Sequence, residues 1–347
     1  MPCFVGLDAS KKTTSVCVVD PKGTVLREGT VDTSPQAIVR FLRGNSVRYA
    51  RVGLESSSIA PWLFEGLARA RLPVICIETR HAHGALKTQH NKTDRADARG
   101  IANLMRTGSY RAVHIKTAES QKVRMILTAR RMLLTKSVDM QNTIYGLLLG
   151  LGIKIETKRP RTFDNRVQLA IAEHPFAASV LRPLVELRRQ VLLQVKAFEV
   201  QLREIAREDR ICQLLMTAPG VGELTALIYR SSIDVPERFA SSRSVGPLLG
   251  LVPRTHQSGD NEWRGKITKQ GDREARRALF IAAMVLLRRN AAKNWLHQWG
   301  NALAARRGRK RAIVAVARRL AITLHKMWMT GLPFQPRTTC MAIPNGG

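Results

Sequence analysis

Over the first eighty or so positions apolar and polar residues alternate in short runs. After that the apolar repeat lengthens to three or four residues and holds for most of the chain. The runs at 3–7, 14–19 and 24–31 predict three short strands, with Pro21-Lys22-Gly23 as a hairpin turn. Ser34-Pro35 reads as an N-cap followed by proline at the first helical position, leading into a helix over 37–43. A fourth strand over 51–54 ends at Glu55. A helix around 62–71, a fifth strand over 74–77 and a helix opened by Thr93-Asp94 follow.

The order βββαβαβα predicts an α/β domain of the RNase H-like class at the N-terminus, over 1–112. From 113 to 210 the pattern is helical. Leu184, Leu187, Val191, Val195, Phe198, Leu202 and Ile205 recur at helical spacing and tend to a coiled-coil seam, while glycines and charges over 146–160 separate the helices. A mainly α domain is expected over 211–335, with a frayed tail over 336–347. Its opening, Ala218-Pro219-Gly220-Val221-Gly222-Glu223, resembles a helix-hairpin-helix, in which Gly220 and Gly222 present backbone N–H groups to a phosphate.

Charge narrows the function. The 347 residues carry 57 Lys and Arg against 26 Asp and Glu, a net +31. Self-repulsion on that scale opposes compaction unless a polyanion offsets it, and nucleic acid is the obvious one. The segment 243–311 alone holds 16 basic residues against four acids, Asp260, Glu262, Asp272 and Glu274. A hydrophobic content of 44% rules out a disordered basic tail. No apolar run approaches the roughly 20 residues that span a bilayer. Met1-Pro2-Cys3-Phe4 does not begin a signal peptide, so no membrane partner is expected. Cys3, Cys17, Cys76, Cys212 and Cys340 form no CxxC pair, which argues against a disulfide framework or zinc site and suits a reducing cytoplasm.

Two sets of residues carry candidate chemistry. Asp8 and Glu55 end apolar strands, and Asp94 and Asp97 share one helical face. In an RNase H-like sheet the first and fourth strands are neighbours, and a later helix can bring its acids to the same point. Four crowded carboxylates repel unless hard cations bridge them, and oxygen-only ligation suits Mg²⁺. The alternatives are that Asp94 caps its helix and that Asp97 pairs with Arg95 or Arg99. The second set centres on Ser258, in a glycine-containing loop among Arg254, Arg264, Lys266 and Lys269. These cations would stabilise a phosphorane-like transition state, with His256 as a possible proton shuttle and a simple turn serine as the alternative. Actin-like sugar kinases share the opening strand and Gly-x-Asp but need further phosphate and adenosine motifs that the sequence lacks.

At these residues the chain resembles the insertion-sequence family one-ten transposases and the related Piv and MooV invertases. Gly-Leu-Asp, Leu-Glu-Ser, Lys-Thr-Asp-Arg-Ala-Asp-Ala-Arg, Pro-Gly-Val-Gly, Gly-Leu-Val-Pro-Arg…Ser-Gly and the run Lys269 to Leu279 stand in the family's order, over nearly the whole chain to Phe334. The resemblance implies a RuvC-like domain whose DEDD tetrad is Asp8, Glu55, Asp94 and Asp97, holding Mg²⁺. It also implies a helical connector and a transposase domain whose nucleophile is Ser258. It implies partners as well: DNA of the element ends and target, a structured guide RNA, and further copies of the chain as a dimer or tetramer, in the cytoplasm of a bacterium and associated with the nucleoid. Gly259 to Arg264 is bulkier and more acidic than the small-residue run of some relatives. Phosphate contacts are expected from Gly220, Gly222, Arg254, Arg264, Lys266, Lys269, Arg276, Arg277, Arg309, Lys310 and Arg311. The rival readings are a RuvC-like nuclease or resolvase that uses the acids alone, and an architectural nucleic-acid-binding protein.

Overall fold

The computed structural model describes residues 1–43, 47–79, 93–156, 159, 162–258, 261–288 and 294–336; at 255–258, 261–262 and 264 only the backbone is described. The chain forms two compact units, Met1–Lys116 and Thr117–Gly347.

Unit 1 is built on a five-stranded sheet. Its strands are β1 (Pro2–Ala9), β2 (Thr13–Val19), β3 (Val25–Asp32), β4 (Arg48–Glu55) and β5 (Val74–Ile77), in the order β3-β2-β1-β4-β5. The first three are antiparallel neighbours, and β1, β4 and β5 run parallel. This is the RNase H-like arrangement that the element order predicts. Alternation along β2 feeds two cores. Val16 and Val18 pack with α1 (Pro35–Arg43) and α2 (Ala60–Arg69) through Ile38, Leu42, Leu63 and Leu67. Cys17 and Val19 pack on the other face against Ala98 and Ala102 of α3 (Asp94–Thr107).

Helix α3 lies almost backbone to backbone on the sheet. Gly6 and Gly53 are register partners in β1 and β4. A Cβ on Gly6 would stand 2.1 Å from the Ala98 carbonyl oxygen, and one on Gly53 would stand 2.7 Å from Met105 Cγ. The guanidinium of Arg51 donates to the Met105 carbonyl (2.7 Å), securing the last turn, and Gly108 ends the helix with φ +74°.

In unit 2 the predicted helices form α4 (Ala118–Gly150), α5 (Phe163–Ala170) and α6 (Pro175–Glu208). Arg130 pairs with Glu199, while Ser137 and Gln141 meet Arg188, so α4 and α6 run antiparallel. Arg188 is 1% exposed. It donates to the Ser137 carbonyl, Gln141 Oε1 and the Asp164 carboxylate, and lies over the Phe163 ring, tying the three helices together. The other end of the pair joins a second core through Leu127, Leu202 and Ala206. That core also takes in α7 (Arg210–Met216), α8 (Glu223–Ile233), α9 (Val245–Leu248), α10 (Arg273–Leu286), α11 (Trp295–Arg307) and α12 (Arg309–Thr330).

One expectation is corrected. Ser258 does not lie in an irregular loop: β6 (Pro253–Ser258) and β7 (Asn261–Ile267) form an antiparallel ribbon with Ser258 paired to Asn261. Thr255, Trp263 and Ile267 favour extended backbone, a local preference that the glycines obscure in the sequence. Among the described residues no helix is long and apolar enough to cross a membrane.

The glycine contact gives a direct test. Gly6→Ala should destabilise unit 1 by about 3 kcal/mol and lower its melting temperature by roughly 10 °C. A melt within about 2 °C of the parent would show that α3 does not approach the sheet so closely.

Candidate functional site

The four candidate acids of unit 1 lie at one end of its sheet. Leu7 pairs with Leu54, so Asp8 and Glu55 stand side by side as the next residues of adjacent parallel strands. Both are half-buried, and Glu55 Oε1 is shielded from solvent. Ser56 donates its N–H to Ile77 (3.0 Å) and Thr79 Oγ1 donates to the Ser56 carbonyl (2.8 Å), which fixes the chain just beyond Glu55. Helix α3 runs opposite to β1. Its C-terminal turn reaches the β2–β3 turn through Arg106 and Pro21, and Ala98 lies over Gly6. Asp94 and Asp97 therefore begin the helix at the end where Asp8 and Glu55 stand.

The structure removes both simpler explanations for the helical acids. The cap is Thr93, whose Oγ1 accepts from Ala96 N–H (3.2 Å), so Asp94 is the first helical residue. Arg99 turns away from Asp97 to chelate Glu28 on β3, with Arg99 Nη2 2.7 Å from Glu28 Oε2. Among the described residues neither Asp94 nor Asp97 has an ion-pair partner.

The expected crowding is only partly met. No three His, Cys, Asp or Glu side chains among the described residues stand close enough to hold a metal ion. The acids share an end of the sheet without closing on a point, as mutual repulsion of carboxylates favours. A four-carboxylate, all-oxygen set nonetheless fits a hard divalent cation. The thiols do not compete for such an ion. Burial, helped by Glu55, pushes Cys76 up to about 11; burial, helped by Glu28, pushes Cys17 to about 12. Cys3, Cys17, Cys76 and Cys212 are free and buried.

In unit 2 the ribbon borders a groove of about 1710 Å³ between α10, α11 and α12. Lys266, Lys269, Arg276, Arg277, Lys310 and Arg311, all expected from the sequence, line it, and among the described residues no acidic side chain does. Apart from that of Arg276, none of these six side chains has an ion-pair or hydrogen-bond partner among the described residues. Arg276 has a structural role instead, donating to the carbonyls of Leu249 (2.9 Å) and Gln270 (3.2 Å). Arg254 is exposed on β6, and Arg309 donates to the Leu287 carbonyl (3.5 Å). The side chains of Ser258, His256 and Arg264 lie outside the described residues.

The glycines of the expected helix-hairpin-helix have different roles. Gly220, at φ +79°, joins α7 to α8 and packs on α10, where a Cβ would stand 2.5 Å from the Ala282 carbonyl oxygen. Gly222 precedes α8 with open space around it.

The sequence reading missed Arg243, Arg273, Arg307, Arg318 and Trp299, which also line the groove. They come from four separate elements, so no local motif joins them. It also missed Asp272, which caps α10 through the Glu274 and Ala275 N–H groups and accepts from Arg124 (2.7 Å) and Ser232 (2.9 Å). Burial pushes its carboxyl up, but Ala275 N–H, Arg124 and Ser232 outweigh that and hold it below the usual range.

Comparison with known proteins places these features in a family. Residues 212–298 match the model of the Transposase IS116/IS110/IS902 family, and residues 5–153 match a DEDD transposase model of the IS110 type. The transposase for insertion sequence element IS1111A of Coxiella burnetii is 30% identical over 92% of this chain and 87% of its own length. The transposase for insertion sequence element IS1328 of Yersinia enterocolitica is 26% identical over 78% of this chain and 81% of its own. A solved Thermus thermophilus RuvC in complex with a Holliday junction substrate matches at 16% identity and a TM-score of 0.25, covering 33% of this chain and all of that one. The RNase H-like assignment rests on strand order, not on that likeness.

The Arg99–Glu28 pair, which holds α3 to the sheet, should show in the acid limb of stability. Hydrogen bonding from Arg99 depresses the Glu28 carboxyl below 4.5. Its contribution is therefore complete above pH 4.5 and lost as pH falls through the depressed value. Glu28→Gln should lower the melting temperature at pH 7 by roughly 2–4 °C and leave it unchanged near pH 2. An equal drop at both pH values would mean that packing, not the ion pair, is what the substitution removes.

Proposed function

We infer the reaction from one premise: the chain belongs to the IS116/IS110/IS902 family of transposases, enzymes that cut DNA. On that premise it excises and inserts its own element by strand cleavage and rejoining. The Ser258 hydroxyl attacks a phosphodiester, the Oγ–P bond forms, and the P–O bond to the departing sugar oxygen breaks as that oxygen takes up the proton. Reversal with a new strand end rejoins the DNA. Asp8, Glu55, Asp94 and Asp97 hold Mg²⁺, which when bound neutralises charge on phosphate oxygens. The observation that supports the reading is that these four acids share one end of the sheet, with neither helical acid taken up by a cap or, among the described residues, by an ion pair.

Two further features support partners. The unpaired cations beside β6 and β7 suit a phosphate backbone, of DNA or of an element-encoded guide RNA. Met132, Val138, Leu187 and Leu193 on α4 and α6 are exposed apolar side chains, which suits assembly of several copies.

Incubation with element-junction DNA, the flanking-region RNA and Mg²⁺, followed by denaturation and digestion, should yield a phosphonucleotide on Ser258 that Ser258→Ala abolishes. Cleaved DNA without an adduct would assign the reaction to the acids alone, as in a metal nuclease. Nucleic-acid binding that survives Asp8→Ala, Glu55→Ala, Asp94→Ala and Asp97→Ala together without Mg²⁺, with neither cleavage nor adduct from the parent protein, would leave an architectural protein. In salt titrations, Lys310→Ala and Arg311→Ala should each reduce the slope of log K against log salt by about 1.

A further inference from the structure

Trp263, the largest residue in the acidic stretch that departs from some relatives, is 63% exposed on β7. Its ring lies against Gly265 on the same strand: a Cβ there would stand 2.7 Å from Trp263 Cη2 and Cζ3. Glycine thus lets the indole pack against the ribbon, which sets its position before any ligand arrives. Trp299 of α11, 39% exposed, lines the same groove. Other tryptophans serve the fold. Trp295 stacks on Phe334 and donates to the Gln335 carbonyl, and Trp328 carries the Arg230 guanidinium over its ring. Two of the five tryptophans therefore open onto a groove lined by cations and, among the described residues, by no acid. Exposed indoles beside unpaired cations form the pattern of a single-strand site, in which cations track phosphates and aromatic faces take unstacked bases. A fully paired duplex keeps its base faces stacked on one another and has none to offer.

We propose that this groove binds an unpaired stretch of nucleic acid, with a base of the strand stacked on Trp263 and a second on Trp299. The proposal rests on the nucleic-acid reading of the groove given above and adds the form of the ligand. Binding leaves the duplex locally open beside β6, two register positions from the Ser258–Asn261 pair.

The test uses the full-length protein with oligo-dT and oligo-rU of about 15 nucleotides and a duplex of equal length, reading tryptophan fluorescence and anisotropy. Single strands should quench the fluorescence. Trp263→Ala should weaken their binding about tenfold, Trp299→Ala in the same direction, and duplex binding should change less than about twofold. Trp263→Phe should restore most of the loss, with melting temperatures confirming that each variant folds. Dependence on Trp263 with dT, rU or both supports the proposal and identifies the strand. Equal losses for single strand and duplex, or none for either, overturn it. If reversing charge at Lys310→Glu and Arg311→Glu leaves all binding intact, the groove reading itself fails. If charge reversal abolishes binding while Trp263→Ala does nothing, only the stacking fails.

Discussion

The arrangement of the acids in unit 1 depends on a contact between backbones. Gly6 and Gly53 stand side by side in β1 and β4; over Gly6 the backbone of α3 comes so close that no other residue would fit without displacing it, and Gly53 leaves room for the Ile101 and Met105 side chains. A helix seated on side chains would stand several ångströms higher, and its first turn would rise away from the strand ends. Glycine weakens a strand interior, so its presence in two neighbouring strands at one register level marks a place where close approach outweighs that loss. The Arg99–Glu28 and Arg51–Met105 contacts then fix the helix along its length, and the Thr93 cap fixes where it starts. With those three settled, Asp94 and Asp97 begin the helix at the end of the sheet where Asp8 and Glu55 stand.

Much of this was legible in the sequence. Strand order followed from alternation and turn residues, since a period of two cannot be mistaken for a helix over six or seven positions. The acids stood out because each ends or begins an element. Gly6 and Gly53 were equally visible as letters, but their pairing was not, because the register of parallel strands is set by packing that a single strand does not record. The ribbon that carries Ser258 was hidden for a related reason. Its residues favour extended backbone, yet Gly259 and Gly265 read as loop signals, and only the partner strand turns Gly265 into a seat for Trp263. Arg276 shows the limit from the other side, since composition marks it as a phosphate contact and geometry gives it two carbonyls to hold.

Unit 2 settles a tension between charge and compactness. Asp272, Arg124 and Ser232 bring α10, α4 and α8 together at one buried cluster, so a carboxylate that might have offset the groove's cations is used inside the fold. Arg188 does the same in reverse, drawing an arginine and Asp164 out of the surface balance. Acids that could neutralise the basic faces are thus taken up by structure. The surplus charge is left along the groove that α10, α12 and β7 line, and the turn between β7 and α10 packs on the chain after α9 through Gly250 and Gly271.

That surplus links folding to binding. Cations held within a few ångströms of one another by helices repel, and water and salt screen them only over roughly a Debye length, about 8 Å at physiological ionic strength. The repulsion raises the free energy of the free folded unit and is relieved when a polyanion occupies the groove. A ligand that binds only the folded form must stabilise it by the free energy with which it binds. The cations that make the groove attractive to a strand are therefore also those that make the unit more stable with a strand in place. Aromatic side chains on the same wall contribute without adding to the repulsion. An exposed indole already seated against a glycine loses little further order when a base stacks on it. It can therefore discriminate between forms of nucleic acid that charge alone treats alike.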